Sequence, residues 1–214
     1  MAVAIGLAMF FVVTEARAWD GERKGFIFGG GLGLGATGII ESYRNEAESL
    51  AAAPAIQFAF SPDIRIGYAP TNKLMLYAFG VDSWFNYTQQ MLSAYGGQEL
   101  YGEESWTINS SLSGVGASYY LKPEAPAWIF SGGLGIAQLK AYGNNAPTAT
   151  FSGFGFMLGA GYEFRKHWSA EFNFVYENPK HSVSSSVAES EYGIPGTQSF
   201  KDFSFILLVN LMGY

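Results

Sequence analysis

Residues 55 to 68 read AIQFAFSPDIRIGY, and their side chains separate with a period of two. Ile56, Phe58, Phe60, Pro62, Ile64, Ile66 and Tyr68 fall on one side of the segment. Ala55, Gln57, Ala59, Ser61, Asp63, Arg65 and Gly67 fall on the other. Successive side chains of a β-strand point to opposite faces, so strict alternation specifies a strand with two unlike faces. Here one face is oily along its whole length. The other is small or polar and carries two opposite charges.

The pattern recurs along the chain. Phe26, Phe28, Leu32 and Leu34 alternate with Gly29, Gly31, Gly33 and Gly35. Met75, Tyr77, Phe79, Val81 and Phe85 alternate with Ala78, Gly80, Asp82 and Asn86. Five more stretches behave alike: 114–121, 128–137, 153–164, 168–177 and 203–211. Of these eight candidate strands most are ten or more residues long. Strands of soluble proteins run about five or six residues, whereas a strand that crosses a bilayer needs about 9–11.

Composition points the same way. Aromatic residues make up 17% of the chain and charged residues 14%, against about 25% charged in a typical soluble protein. No run reaches the roughly 18 apolar residues of a membrane-spanning helix. The net charge of −6 lacks the basic footprint of a nucleic-acid binder. Cysteine is absent, so there is no disulfide framework and no thiolate-ligated metal.

The connections alternate as well. Residues 70–73, 122–126 and 165–167 form short turns, and 40–54, 88–105, 141–150 and 178–199 form long polar loops. Short turns at one end and long loops at the other describe a transmembrane barrel with periplasmic turns and extracellular loops. The expected fold is therefore all-β: an eight-stranded antiparallel up-and-down transmembrane β-barrel. An even strand number puts both termini on the periplasmic side of an outer membrane. Met1 to Val13 is apolar and Ala16-Arg17-Ala18 supplies a small-x-small cleavage pattern, so residues 1–18 read as a signal peptide and 19–214 as the barrel domain.

In such a barrel the oily face meets lipid and the other faces the lumen. Asp63, Arg65, Asp82, Glu163 and Glu171 then form a lumen charge cluster, with Glu177 nearby. Pro62 removes a ladder donor and predicts a bulge or local break. Tyr68, Tyr119, Trp128, Phe164 and Trp168 flank the short turns as an interfacial girdle. Leu74, Leu76, Met157, Val175, Ile206 and Leu208 are expected to face inward, as plug packing or as the lining of a small apolar cavity.

Three segments, GVGASYYLKPEAPAWIFSGGLGIA, GAGYEFRKHWSAEFNFVYE and the terminal FSFILLVNLMGY, carry a family resemblance. The chain resembles the small eight-stranded outer-membrane barrels of Gram-negative bacteria, the group that includes the OmpA transmembrane domain, OmpX and OmpW. That resemblance implies outer-membrane lipid and lipopolysaccharide as surroundings. It also implies insertion by the barrel-assembly machinery through the C-terminal strand, where Tyr214 is the terminal aromatic. Tyr214 lies on the opposite parity from Phe205 to Leu211.

Two motifs suggest chemistry. Gly33-Leu34-Gly35-Ala36-Thr37-Gly38 matches the dinucleotide fingerprint G-x-G-x-x-G, but the glycines begin at Gly29 with period two and no further βα units follow. His167, Ser169 and Glu171 resemble the trio of an outer-membrane lipid deacylase, although they fall at the periplasmic end. The sequence therefore reads as a non-enzymatic barrel with no catalytic residue, no metal and no cofactor, working through its extracellular loops. The alternatives are a narrow channel or carrier for small or hydrophobic solutes and, after it, a lipid-modifying enzyme.

Overall fold

The computed structural model describes residues 22–44, 49–51, 55–88, 105–142, 149–182 and 197–214. Nine strands are found among them. They are β1 (Gly25–Arg44), β2 (Ser49–Ala51), β3 (Ala55–Thr71), β4 (Leu74–Thr88), β5 (Ser105–Tyr120), β6 (Ala127–Tyr142), β7 (Ala149–Arg165), β8 (Trp168–Ser182) and β9 (Thr197–Gly213). Every pairing is antiparallel, and each long strand pairs with the next along the chain. β1 also pairs with β9 from Phe28↔Gly213 to Arg44↔Thr197, which closes eight long strands into a ring. The three-residue β2 takes up the edge of β1 above β3.

Closure satisfies the backbone. An open sheet edge presents unpaired N–H and C=O groups, and hydrocarbon offers nothing to bond them. The strands of the ring are 15 to 20 residues long and extend past the expected loop limits. Residues 40–44, 178–182 and 197–199, expected in loops, are strand. The G-x-G-x-x-G segment lies in the middle of β1, so its glycines line a wall and form no phosphate loop. The expected signal peptide lies outside the described residues.

Pro62 produces a break without a bulge. The β3–β4 ladder pairs Phe60 with Trp84 and Asp63 with Val81, in one register, and leaves out the two pairs between. A hydrogen bond between Ser61 Oγ and Ser83 Oγ (3.1 Å) spans the gap on the inner side.

The faces follow the alternation. Leu32, Leu34, Phe58, Ile64, Phe130, Leu134, Phe154, Leu158, Phe172 and Leu207 are exposed on the outer wall. The inner side chains are buried in two apolar clusters. The larger one, at the short-turn half, includes Ile27, Met75, Phe79, Leu112, Ile129, Met157 and Leu208. The smaller one, nearer the long connections, is Ile39, Ala59, Phe85, Ile108, Leu139 and Phe151. Two glycines make the packing possible. A Cβ on Gly133 would overlap the Phe79 ring, and one on Gly116 would press on Tyr77.

β4 corrects the sequence reading. Met75, Tyr77, Phe79, Val81 and Phe85 are buried inside, not against lipid. Leu76 is exposed on the outer wall, and Leu74 and Asp82 share its parity. Their expected inward placement is therefore reversed. The physical reason is volume: the bulky residues of β4 fill space left by the glycines of β5 and β6.

Candidate functional site

The lumen is the natural place to look for function in a small barrel. Its centre is held by Arg65, 2% exposed. Arg65 Nε donates to Asp63 Oδ2 at 2.8 Å, and Nη1 donates to both oxygens of Glu171 at 3.0 and 3.1 Å. The guanidinium also lies over the Tyr77 ring, 5.4 Å from its centroid. Glu171 accepts further bonds from Asn210 Nδ2 (2.7 Å), Ser169 Oγ (3.2 Å) and Ser131 Oγ (3.5 Å). Five strands therefore meet at one buried ion cluster: β3, β4, β6, β8 and β9. Burying two carboxylates and a guanidinium is tolerable only with this density of partners.

A second cluster closes the short-turn end. Arg23, which precedes β1, reaches into the lumen. It pairs with Glu163, donates to the carbonyls of Asn72 (3.1 Å) and Lys122 (2.8 Å), and stacks 4.1 Å from the Tyr120 ring centroid. Glu163 also accepts from the hydroxyl of Tyr214. The Tyr214 oxygen in turn accepts from the backbone N–H of His167 at 3.0 Å. His167 adopts a left-handed backbone with φ of 72°, its Nδ1 lies 2.8 Å from the Met212 carbonyl, and its ring sits 4.5 Å from that of Tyr214. Burial pushes the Tyr214 phenol, which follows the last strand, up to about 12.

A third polar layer separates the two apolar clusters. Glu177 and Asp202 are cross-strand partners on the inner face, 4% and 1% exposed. Ser110 donates to Glu177, Thr37 Oγ1 donates to Asp202 Oδ1 at 2.7 Å, and Ser204 Oγ donates to Thr37 Oγ1 at 2.7 Å. Among the described residues neither carboxylate has a cationic partner within salt-bridge distance.

The residues singled out in the sequence fall as follows. Asp63, Arg65 and Glu171 meet in the central cluster, and Glu163 joins the one at the short-turn end. Asp82 joins neither; on the outer wall its Oδ1 accepts from Asn109 Nδ2 at 3.4 Å. Met157, Val175, Ile206 and Leu208 are buried inside, and Leu74 and Leu76 are not with them. Tyr68, Tyr119, Trp128, Phe164 and Trp168 are exposed on the outer wall beside the short turns, with Trp128 packed 5.1 Å from Tyr162. Sequence reasoning passed over Arg23 and Asp202. Arg23 stands in a run of charges before the first strand, and nothing in that run marks which one turns inward. Asp202 shares the inner parity of Ile206 and Leu208, and that parity was available to find it.

Ser169 is 3% exposed and its hydroxyl points to Glu171, while the His167 imidazole engages Met212 and Tyr214. Among the described residues no group of three or more His, Cys, Asp or Glu is arranged to hold a metal.

No protein-family model matches the chain, and no curated protein matches it in sequence. Solved structures do match in shape. The outer membrane protein OprG from Pseudomonas aeruginosa superposes with a TM-score of 0.53 at 14% identity, covering 92% of this chain and 99% of that one. Ail, the attachment invasion locus protein of Yersinia pestis, gives a TM-score of 0.45 at 8% identity, covering 86% of this chain and 98% of its own. Neisserial surface protein A gives 0.42 at 14% identity, with coverage of 84% and 96%. A closed ring of eight long antiparallel strands, oily outside and filled inside, is the fold of the small outer-membrane β-barrels.

Proposed function

We propose that this protein is a non-enzymatic barrel of a Gram-negative outer membrane, with both termini periplasmic, that acts through its extracellular connections in surface contact or envelope integrity. The observation that carries the reading is the filled lumen. Ile129, Leu112, Ile206 and Leu208 are each 0% exposed. In a water-filled pore these inner side chains would be wetted, so the bilayer part serves as a support and the segments between strands are left to do the work. Eight strands enclose a space that side chains can fill.

Two further observations favour it over an enzyme. Ser169 is buried in the wall, with its hydroxyl committed to Glu171. A nucleophile needs an oriented base and access to substrate, and the His167 imidazole is turned to Met212 and Tyr214. The partners that follow are outer-membrane lipid and lipopolysaccharide around the belt and, during biogenesis, the barrel-assembly machinery acting on β9.

The test is conductance of the purified barrel in planar bilayers, paired with replacement of residues 89–104 and 183–196 by short Gly-Ser linkers. A silent bilayer, and a surface phenotype lost with the linkers, is expected. Reproducible single-channel steps that disappear on changing Arg65 or Asp63 would instead favour the narrow channel.

A further inference from the structure

The oily belt is uneven. On β3 the exposed outward residues stay apolar from Tyr68 to Ile56. On β4 to β6 they turn polar part of the way up. Asp82, Ser111 and Gln138 lie side by side in register on the outer wall, with Asn109 and Lys140 paired in the next outward row. Ser111 Oγ donates to the main-chain carbonyl of Gln138 at 3.3 Å, and Asn109 Nδ2 to Asp82 Oδ1 at 3.4 Å. Trp84 and Tyr142 stack in parallel beside Asn109, ring centroids 6.2 Å apart, as the aromatics of an upper interface would.

Directly toward the short-turn end lies an apolar groove of about 710 Å³. Ala78, Ala117 and Gly132 form its floor, and Tyr68, Leu76, Val115 and Leu134 its rim. Gly80 and Ser113, register partners, continue the small-residue floor up to Asp82 and Ser111. The wall thus carries one continuous feature with an oily lower part and a polar top.

We propose that this feature binds one acylated glycolipid of the outer leaflet, its acyl chain in the groove and its headgroup on Asp82, Ser111, Gln138 and Lys140. Asp82 and Ser111 are already bonded within the wall, so the cluster is held in place, and Gln138 and Lys140 on the same two rows add donors that a headgroup can use. A headgroup rich in hydroxyls, amides and phosphate answers a surface offering a carboxylate, an ammonium, an amide and a hydroxyl. The polarity selects the leaflet: the head is at the long-connection end and the tail points to the short turns. A phospholipid of the inner leaflet would place its head against Tyr68 and Leu76. The inference rests on the orientation proposed above, with the short turns periplasmic.

The experiment is native mass spectrometry of the detergent-solubilised mature barrel with added rough lipopolysaccharide or, separately, phosphatidylethanolamine. Wild type should retain one lipopolysaccharide and release phosphatidylethanolamine. Gly80→Leu and Gly132→Leu fill the groove. A Cβ at either position meets its nearest neighbours at 3.6 Å, an ordinary contact, so both variants should fold. Each should lower retention by about tenfold or more, as should Asp82→Leu combined with Gln138→Leu. Ala160→Leu, on the exposed outer wall of β7, should leave retention unchanged. Equal retention by the groove-filled variants, equal retention of phosphatidylethanolamine, or a second barrel occupying the face would overturn the proposal. Retention does not depend on the extracellular connections, so failure here leaves the surface reading to its own test with the linker variants.

Discussion

Arg65 holds two buried carboxylates at once. Truncating one member of a buried ionic cluster costs about 3–5 kcal/mol, because the partners are left uncompensated. Arg65→Ala should lower the guanidinium unfolding free energy in micelles by that much. Replacing Arg65 by Met together with Asp63→Asn and Glu171→Gln should recover most of it. The two buried glutamates of β8 should behave differently in the same assay. Glu171→Gln removes the partner of Arg65 and destabilises. Glu177→Gln removes one of two adjacent carboxylates that have no cationic partner among the described residues, and keeps an oxygen to accept from Ser110, so it should cost nothing. Tyr214 adds a pH dependence. Its folded pKa of about 12 lies above the ordinary value of about 10, so the fold holds the protonated phenol more firmly than the unfolded chain does. That contribution is complete below the ordinary value and is lost as pH rises through the folded one. Alkaline titration followed by tryptophan fluorescence should show wild type losing stability across this window and Tyr214→Phe, already weakened, losing less.

At the scale of the strand, the alternation decides which element forms, and neighbouring strands decide which face points in. β3, β6 and β7 were legible from sequence because one parity is oily and the other is mostly small, polar or charged, and β9 because Phe203, Phe205, Leu207, Val209 and Leu211 are unbroken on one parity while Ser204 and Asn210 interrupt the other. β4 was not, because both its parities are apolar: Met75, Tyr77 and Phe79 on one, Leu74, Leu76 and Trp84 on the other. What settles it is Gly116 and Gly133 on the two following strands, which leave room for the Tyr77 and Phe79 rings. That is a contact between strands, and no period within β4 records it. Asp82 and Leu76 were misplaced for the same reason, and Arg23 escaped because it lies before any strand. The socket gives a test. Gly133→Leu drives a side chain into the Phe79 ring and should destabilise by about 1–3 kcal/mol, the usual cost of overpacking. Adding Phe79→Ala should restore much of the loss, as measured by the denaturant midpoint of each variant.

For the whole molecule, closure and filling act together. Pairing β1 with β9 removes both edges of the sheet, and three polar layers and two apolar clusters occupy what would otherwise be a channel. Sequence foretold the ring but left open whether its interior was packed or hollow, since that depends on side chains from strands distant in the chain meeting across the lumen. The absence of cysteine makes a direct measurement clean. Single cysteines at Leu134 and Leu158 on the outer wall, and at Met157 and Leu208 inside, would be introduced one at a time into the barrel in bilayers. With an environment-sensitive label attached before insertion, Leu134→Cys and Leu158→Cys should be quenched by brominated lipid. After insertion, Met157→Cys and Leu208→Cys should resist a small water-soluble maleimide. Rapid maleimide modification at Met157 or Leu208, or failure of brominated lipid to reach Leu134 and Leu158, would contradict a filled barrel with its oily wall in lipid.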